Sequence, residues 1–93
     1  MIKSFKDAET KKITENQRSR RLPGDIQRRA KMRLDRINAA VSLEDLTVPP
    51  SHNLEALKGD RKGQHGIRIN DQWRVCFKWK DGDAYDVEIV DYH

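Results

Sequence analysis

At 93 residues the chain makes one domain, residues 1–93, with a lean core and no room for a second. It is rich in charge, 37% against 35% apolar, yet the apolar residues recur periodically, which argues for a folded domain over a disordered chain. A single cysteine, Cys76, excludes an internal disulfide and a cysteine-based metal site, no run approaches the ~20 apolar residues of a membrane span, and no signal-peptide core follows Met1, so a cytoplasmic protein is expected.

The net charge of +4 is uneven. Residues 1–36 carry 12 Lys and Arg against 5 Asp and Glu; residues 37–93 carry 7 against 10. A basic first part suits nucleic acid, a ribosome or an acidic protein partner, or is a solvated helix surface.

Ile2-Lys3-Ser4-Phe5-Lys6 alternates apolar and polar residues and predicts a short strand. Asp7 is placed to cap a short helix through about Gln17. Residues 18–22 are basic and irregular. Pro23 and Asp25 mark the start of a longer helix over about residues 23–40. Ile26, Ala30, Leu34, Ile37 and Val41 form its apolar stripe. Its other face carries Arg28, Arg29, Lys31, Arg33 and Arg36, which could bind phosphates or an acidic antagonist, or simply keep the helix soluble.

Pro49-Pro50 ends regular structure before the next element. Residues 54–58 are short and apolar, and residues 59–63 read as a charged loop with Arg61 and Lys62. Three strands follow, over about 65–69, 73–79 and 84–90. His65 alternates with Ile67 as a sheet-face residue, His52 reads as a loop residue, Cys76 as a buried inert thiol, and Trp73 and Trp79 as core.

Matching apolar faces sets the register. Trp79 falls opposite Tyr85, Phe77 opposite Val87 and Val75 opposite Ile89, leaving Asp81-Gly82-Asp83 as the loop and pairing Lys78 with Asp86. A two-residue Asp-Gly loop is rejected because it sets Phe77 opposite Asp86. In the earlier hairpin Ile69 meets Trp73, Ile67 meets Val75, and Arg68 faces Arg74. That like-charge pair is unfavourable unless an anion sits between. Tyr92 lies diagonal to Arg74 on the same face.

The closing residues Asp91-Tyr92-His93 supply a carboxylate, a phenol and an imidazole. With Lys58, Arg68 and Arg74 as cations, these are the parts needed to cut RNA without a metal. The ordered set Leu54-Glu55-Ala56-Leu57-Lys58-Gly59-Asp60-Arg61, Gly63, Ile67-Arg68-Ile69-Asn70-Asp71-Gln72-Trp73-Arg74, Gly82-Asp83-Ala84-Tyr85 and Asp91-Tyr92-His93 resembles the HigB branch of the RelE/ParE toxin superfamily.

The resemblance implies an α+β fold with two N-terminal helices packed on a curved, mainly antiparallel sheet, in the order β-α-α-β-β-β. It implies a ribosome-dependent endoribonuclease that cleaves translated mRNA with no cofactor and no metal. It further implies a HigA-type helix-turn-helix antitoxin, with operator DNA bound only through the toxin–antitoxin complex, and no membrane partner. In that chemistry Arg74 and Lys58 hold the phosphate and Arg68 assists. His93 transfers protons, Asp91 orients it, and Tyr92 stacks or hydrogen-bonds. Arg61, Lys62 and Glu55 are the remaining RNA-binding candidates. Some family members carry a histidine where Glu55 stands here, so the general base is open between Glu55, His93 and another group. Two other functions share the fold: a ParE-like poison of DNA gyrase that cuts no RNA, and a non-catalytic antitoxin- or RNA-binding module.

Overall fold

The structure is a computed structural model that describes residues 1–91; Tyr92 and His93 lie outside the described residues. Two helices, α1 (Ala8–Thr14) and α2 (Gly24–Ala39), precede four strands, β1 (Glu55–Ala56), β2 (Gln64–Arg68), β3 (Trp73–Lys80) and β4 (Asp83–Asp91). The strands form one antiparallel sheet in the order β1-β2-β3-β4. The α+β architecture agrees with the expectation, and the differences lie in the details of its elements.

Asp7 does cap α1, accepting from the Thr10 amide at 2.7 Å. The helix stops three residues before Gln17 because Asn16 turns left-handed, at φ 62°. Gln17 N then donates to Lys12 O and Asn16 N to Ile13 O, the paired bonds of a Schellman end. The basic stretch before α2 is irregular but pinned. Buried Ser19 donates to Glu9 at 2.6 Å and receives the amides of Arg21 and Leu22. That hydroxyl, with Lys12 second, holds the Glu9 carboxyl below its usual range.

On α2 the stripe Ile26, Ala30, Leu34 and Ile37 is buried against Ile67, Val75, Phe77, Val87 and Ile89 of the sheet and Ile69 just after β2. Val41 does not belong to it and is 79% exposed. The helix ends at Ala39, Ala40 adopts ψ 138°, and the chain turns so that Ala40 is buried instead.

Residues 2–6 do not form a regular strand. Two isolated parallel bridges, Ile2 to Ala84 and Phe5 to Val87, hold them along the outer edge of β4. Between the bridges the ladder is broken at Asp86, whose φ is +52° and whose amide goes to the Ser4 hydroxyl at 2.9 Å. The Ile89 amide then donates to Thr10 Oγ1. The first ten residues therefore cap the edge amides of β4, a protected edge without a full strand.

The β2–β3 register is as expected, with Ile67 opposite Val75 and Arg68 opposite Arg74. The β3–β4 register corrects the expectation. The loop is the rejected two-residue Asp81-Gly82, at φ 51° and 82°, a mirror-image turn suited to strand twist. It sets Trp79 opposite Ala84 and Lys78 opposite Tyr85. A shift between Cys76 and Lys78 then restores Val75 to Ile89. One bulge reconciles a tight turn with a buried Val87, which a uniform register could not do. Ala84 takes the buried place assigned to Tyr85, which is only half-buried. The Lys78–Asp86 pair forms all the same, at 3.3 Å.

Candidate active site on the exposed sheet face

The sheet face turned away from the helices is built by the register. Glu55, Gly66, Cys76 and Glu88 form one row across it, and Arg68, Arg74 and Val90 the next. Gly66 leaves room in the middle. A Cβ there would meet Leu57 at 3.4 Å, so the glycine lets buried Leu57 pack down on this face. Cys76 is buried as expected, but on this face and not among the core residues facing α2. Burial pushes its thiol pKa up, which makes it inert.

The like-charge pair finds its anions within the chain. Arg74 Nη1 donates to Glu55 Oε1 at 2.5 Å, reaching diagonally across β2. Arg68 pairs with Asp71 and donates from Nε to the Asn70 carbonyl at 3.1 Å. Asn70 Oδ1 in turn accepts the amides of Gln72 and Trp73, which fixes the β2–β3 turn. Glu55, Arg68 and Arg74 are thus brought together, from three strands.

Arg61 lies further along the same face. It donates to Gln64 at 3.2 Å and approaches Glu88 at 3.5 Å, with Lys6 on that carboxylate at 3.4 Å. Glu88, mostly buried between two cations, was not among the expected site residues; an isolated acid in an alternating strand gives no sign of its partners. Lys58 and Lys62 flank the 3-10 turn Gly59–Arg61 and are exposed. Asp91 ends β4 opposite Trp73 and accepts from Gln72 Nε2 at 3.0 Å. Its register places it in the row of Trp73, on the sheet face of Ile89 and not on that of Arg74. The remaining candidates, Tyr92 and His93, fall outside the described residues.

Two histidines stand apart from this face. His65 stacks on Phe77 with ring centroids 6.2 Å apart, a sheet-face residue as expected. His52 is fully buried, closing the 3-10 turn Pro50–His52, with Nδ1 on the Leu46 carbonyl at 3.1 Å. Burial lowers its pKa, so the imidazole stays neutral. Among the described residues no three His, Cys, Asp or Glu side chains lie close enough to hold a metal ion, and no helix is long and apolar enough to cross a membrane.

A small α+β domain with two helices on a four-stranded antiparallel sheet is a fold seen before. The fold matches that of YafQ from E. coli, with a TM-score of 0.59 at 15% identity over 98% of this chain and 91% of that one. A YafQ mutant gives 0.64 at 13% identity over the same shares. These likenesses define the fold.

The sequence goes further. Residues 3–93 match the family model of HigB-like toxins, described as the RelE-like toxin of type II toxin–antitoxin system HigB. The chain is 36% identical over 90 residues to Toxin HigB-1 of Vibrio cholerae, covering 96% of this chain and 95% of that protein. It is 36% identical over 93 residues to Endoribonuclease HigB of Proteus vulgaris, covering all of both. The chain belongs to the HigB-like family of type II toxins, and that membership implies an antitoxin partner.

Proposed function

We propose that this toxin is an endoribonuclease that cuts translated mRNA on the ribosome and so stops growth. The RNA-cleaving activity rests on the family match and on the full-length similarity to the Proteus vulgaris protein named an endoribonuclease. Ribosome dependence, a cytoplasmic site of action and a HigA-type antitoxin whose complex binds operator DNA belong to the same proposal. Residues 1–93 act in it as one toxin domain.

The observation that carries the mechanism is the Arg74–Glu55 pair beside Arg68. A guanidinium fork grips carboxylate and phosphate in the same planar way. An RNA phosphate arriving at Arg74 therefore competes with Glu55. Once displaced, the Glu55 carboxylate is free to accept the ribose 2′ proton while Arg74, with Lys58 and Arg68, stabilises the crowded phosphorane. His93 is the donor to the leaving 5′ oxygen, since an imidazole titrates near pH ~6.5, with Asp91 orienting it and Tyr92 stacking on a base. Arg61 and Lys62 guide the strand over the face.

The test is the order of events in cells. Controlled expression should lower protein synthesis within the first minutes, with no DNA-damage response, and co-expression of a HigA-type antitoxin should prevent it. DNA damage preceding any loss of translation would replace this reading with a gyrase poison.

A further inference from the structure

On the far side of the β2–β3 turn a groove of about 310 Å³ opens between α2 and the turn. Arg29, Arg33, Arg68, Ser51, Asn53 and Asn70 line it. Three guanidinium groups meet there, and among the described residues the only acid in the lining is Asp71, 93% exposed and already paired with Arg68. Among the described residues neither Arg29 nor Arg33 has a carboxylate partner.

Both are instead held by backbone. Arg29 Nη1 donates to the Ile69 carbonyl at 3.3 Å and Arg33 Nε to the Arg68 carbonyl at 2.9 Å. Each bond uses one of the five N–H groups of a guanidinium and fixes its plane. Burial, with Arg29 and Arg36 beside it, pulls the Arg33 pKa down, so the cluster carries repulsion that an anion would relieve. Asn70 spends its Oδ1 on two amides of the turn, which leaves its NH₂ group as a donor. The lining is donor-rich, oriented and short of negative charge.

We propose that this groove is a second phosphate pocket, which takes a backbone phosphate of the same RNA strand that crosses the catalytic face. The strand assignment rests on the nuclease reading above. Continuity favours it, because Arg68 lines the groove and is also the cross-strand partner of Arg74. An acidic peptide would use the same forks, but a peptide site draws its affinity from apolar anchors, and among the described residues Ile69 is the only apolar one in the lining.

The experiment measures binding of a short 2′-O-methylated single strand, which cannot be cut, over a range of salt concentrations. Arg29→Gln is the main variant. Arg33→Lys is the second, keeping the charge while losing the fork, and melting temperatures confirm that both are folded. Arg29→Gln should weaken binding about tenfold, the size of one charge-assisted hydrogen bond. It should also flatten the slope of log affinity against log salt by about 0.7, the value for one phosphate of a single strand. Lys11→Gln removes the same charge from an exposed position on α1 and should do neither. An unchanged slope in folded Arg29→Gln, or an equal loss in Lys11→Gln, overturns the pocket. Displacement of the strand from this groove by a polyglutamate peptide at matched ionic strength overturns the RNA assignment. Because the probe strand is not cleavable, the two readings fail separately. Intact mRNA cleavage with an unchanged slope removes the pocket alone, whereas a changed slope without cleavage supports the pocket and removes the nuclease.

Discussion

Two groups of arginines lie on either side of the β2–β3 turn, and they are neutralised differently. On the sheet face the three arginines already have acids: Arg74 has Glu55, Arg68 has Asp71, and Arg61 has Glu88. On α2, Arg29 and Arg33 reach, among the described residues, only the carbonyls of Ile69 and Arg68. A self-neutralised set can stay assembled in free protein and exchange its internal carboxylate for an incoming phosphate. A set held by carbonyls is an open demand for an anion. The contrast separates groups suited to chemistry from groups suited to holding a strand.

The sharpest way to break this comparison is Arg74→Ala. Loss of one preorganised cation at a developing phosphorane should lower cleavage on programmed ribosomes about 10²–10³-fold while the fold survives. A drop of less than about threefold would show that Arg74 only steadies Glu55.

Glu55→Gln sharpens the exchange model. If the displaced carboxylate accepts the 2′ proton, cleavage in single-turnover reactions should fall by about 10²-fold or more, the scale of one acid–base group. An unchanged or faster reaction would mean that Glu55 merely occupies Arg74 until RNA arrives.

His52 tests the packing beside the α2 group through pH. Its pKa in the folded state is lowered by burial, so as pH falls below about 6.5 the unfolded chain takes up a proton that the folded one refuses. Stability should therefore be full above that value and decline below it. Urea midpoints across this range should show the decline in the natural chain and a flatter profile in His52→Gln; parallel profiles would deny the buried histidine a role in acid sensitivity.

The smallest effect belongs to Asp71→Asn. An ion pair to an acid 93% exposed is screened, so its loss should change folding stability by no more than about 1 kcal/mol in denaturant titrations. A larger loss would mean that the β2–β3 turn depends on that pair and not on Asn70.

Much of this could be read from the sequence, wherever one periodicity ruled. The α2 stripe through Ile37, the β2–β3 register and the Arg68–Arg74 confrontation all came from spacing, and the confrontation rightly demanded anions. What spacing did not reveal was where they come from. Glu55 reaches Arg74 only because β1 pairs with β2 across a residue without a side chain, Gly66. Spacing alone misplaces the β3–β4 hairpin because it implies a single register, whereas a left-handed Asp86 inserts one residue and changes the register partway. Spacing also misplaces Val41, because nothing local marks the turn at Ala40. The carbonyl anchors of Arg29 and Arg33 are long-range contacts between α2 and the end of β2, and a helical wheel shows only their charge.

The central claim is that the exposed sheet face cuts RNA. Its most direct test is the purified, unaltered protein on ribosomes programmed with a defined message, read by primer extension, beside the same message free in solution. The account predicts discrete cuts in the ribosome-bound message that Arg74→Ala loses. An intact message, from a folded preparation that still arrests growth when expressed, would contradict it and move the search to a protein target.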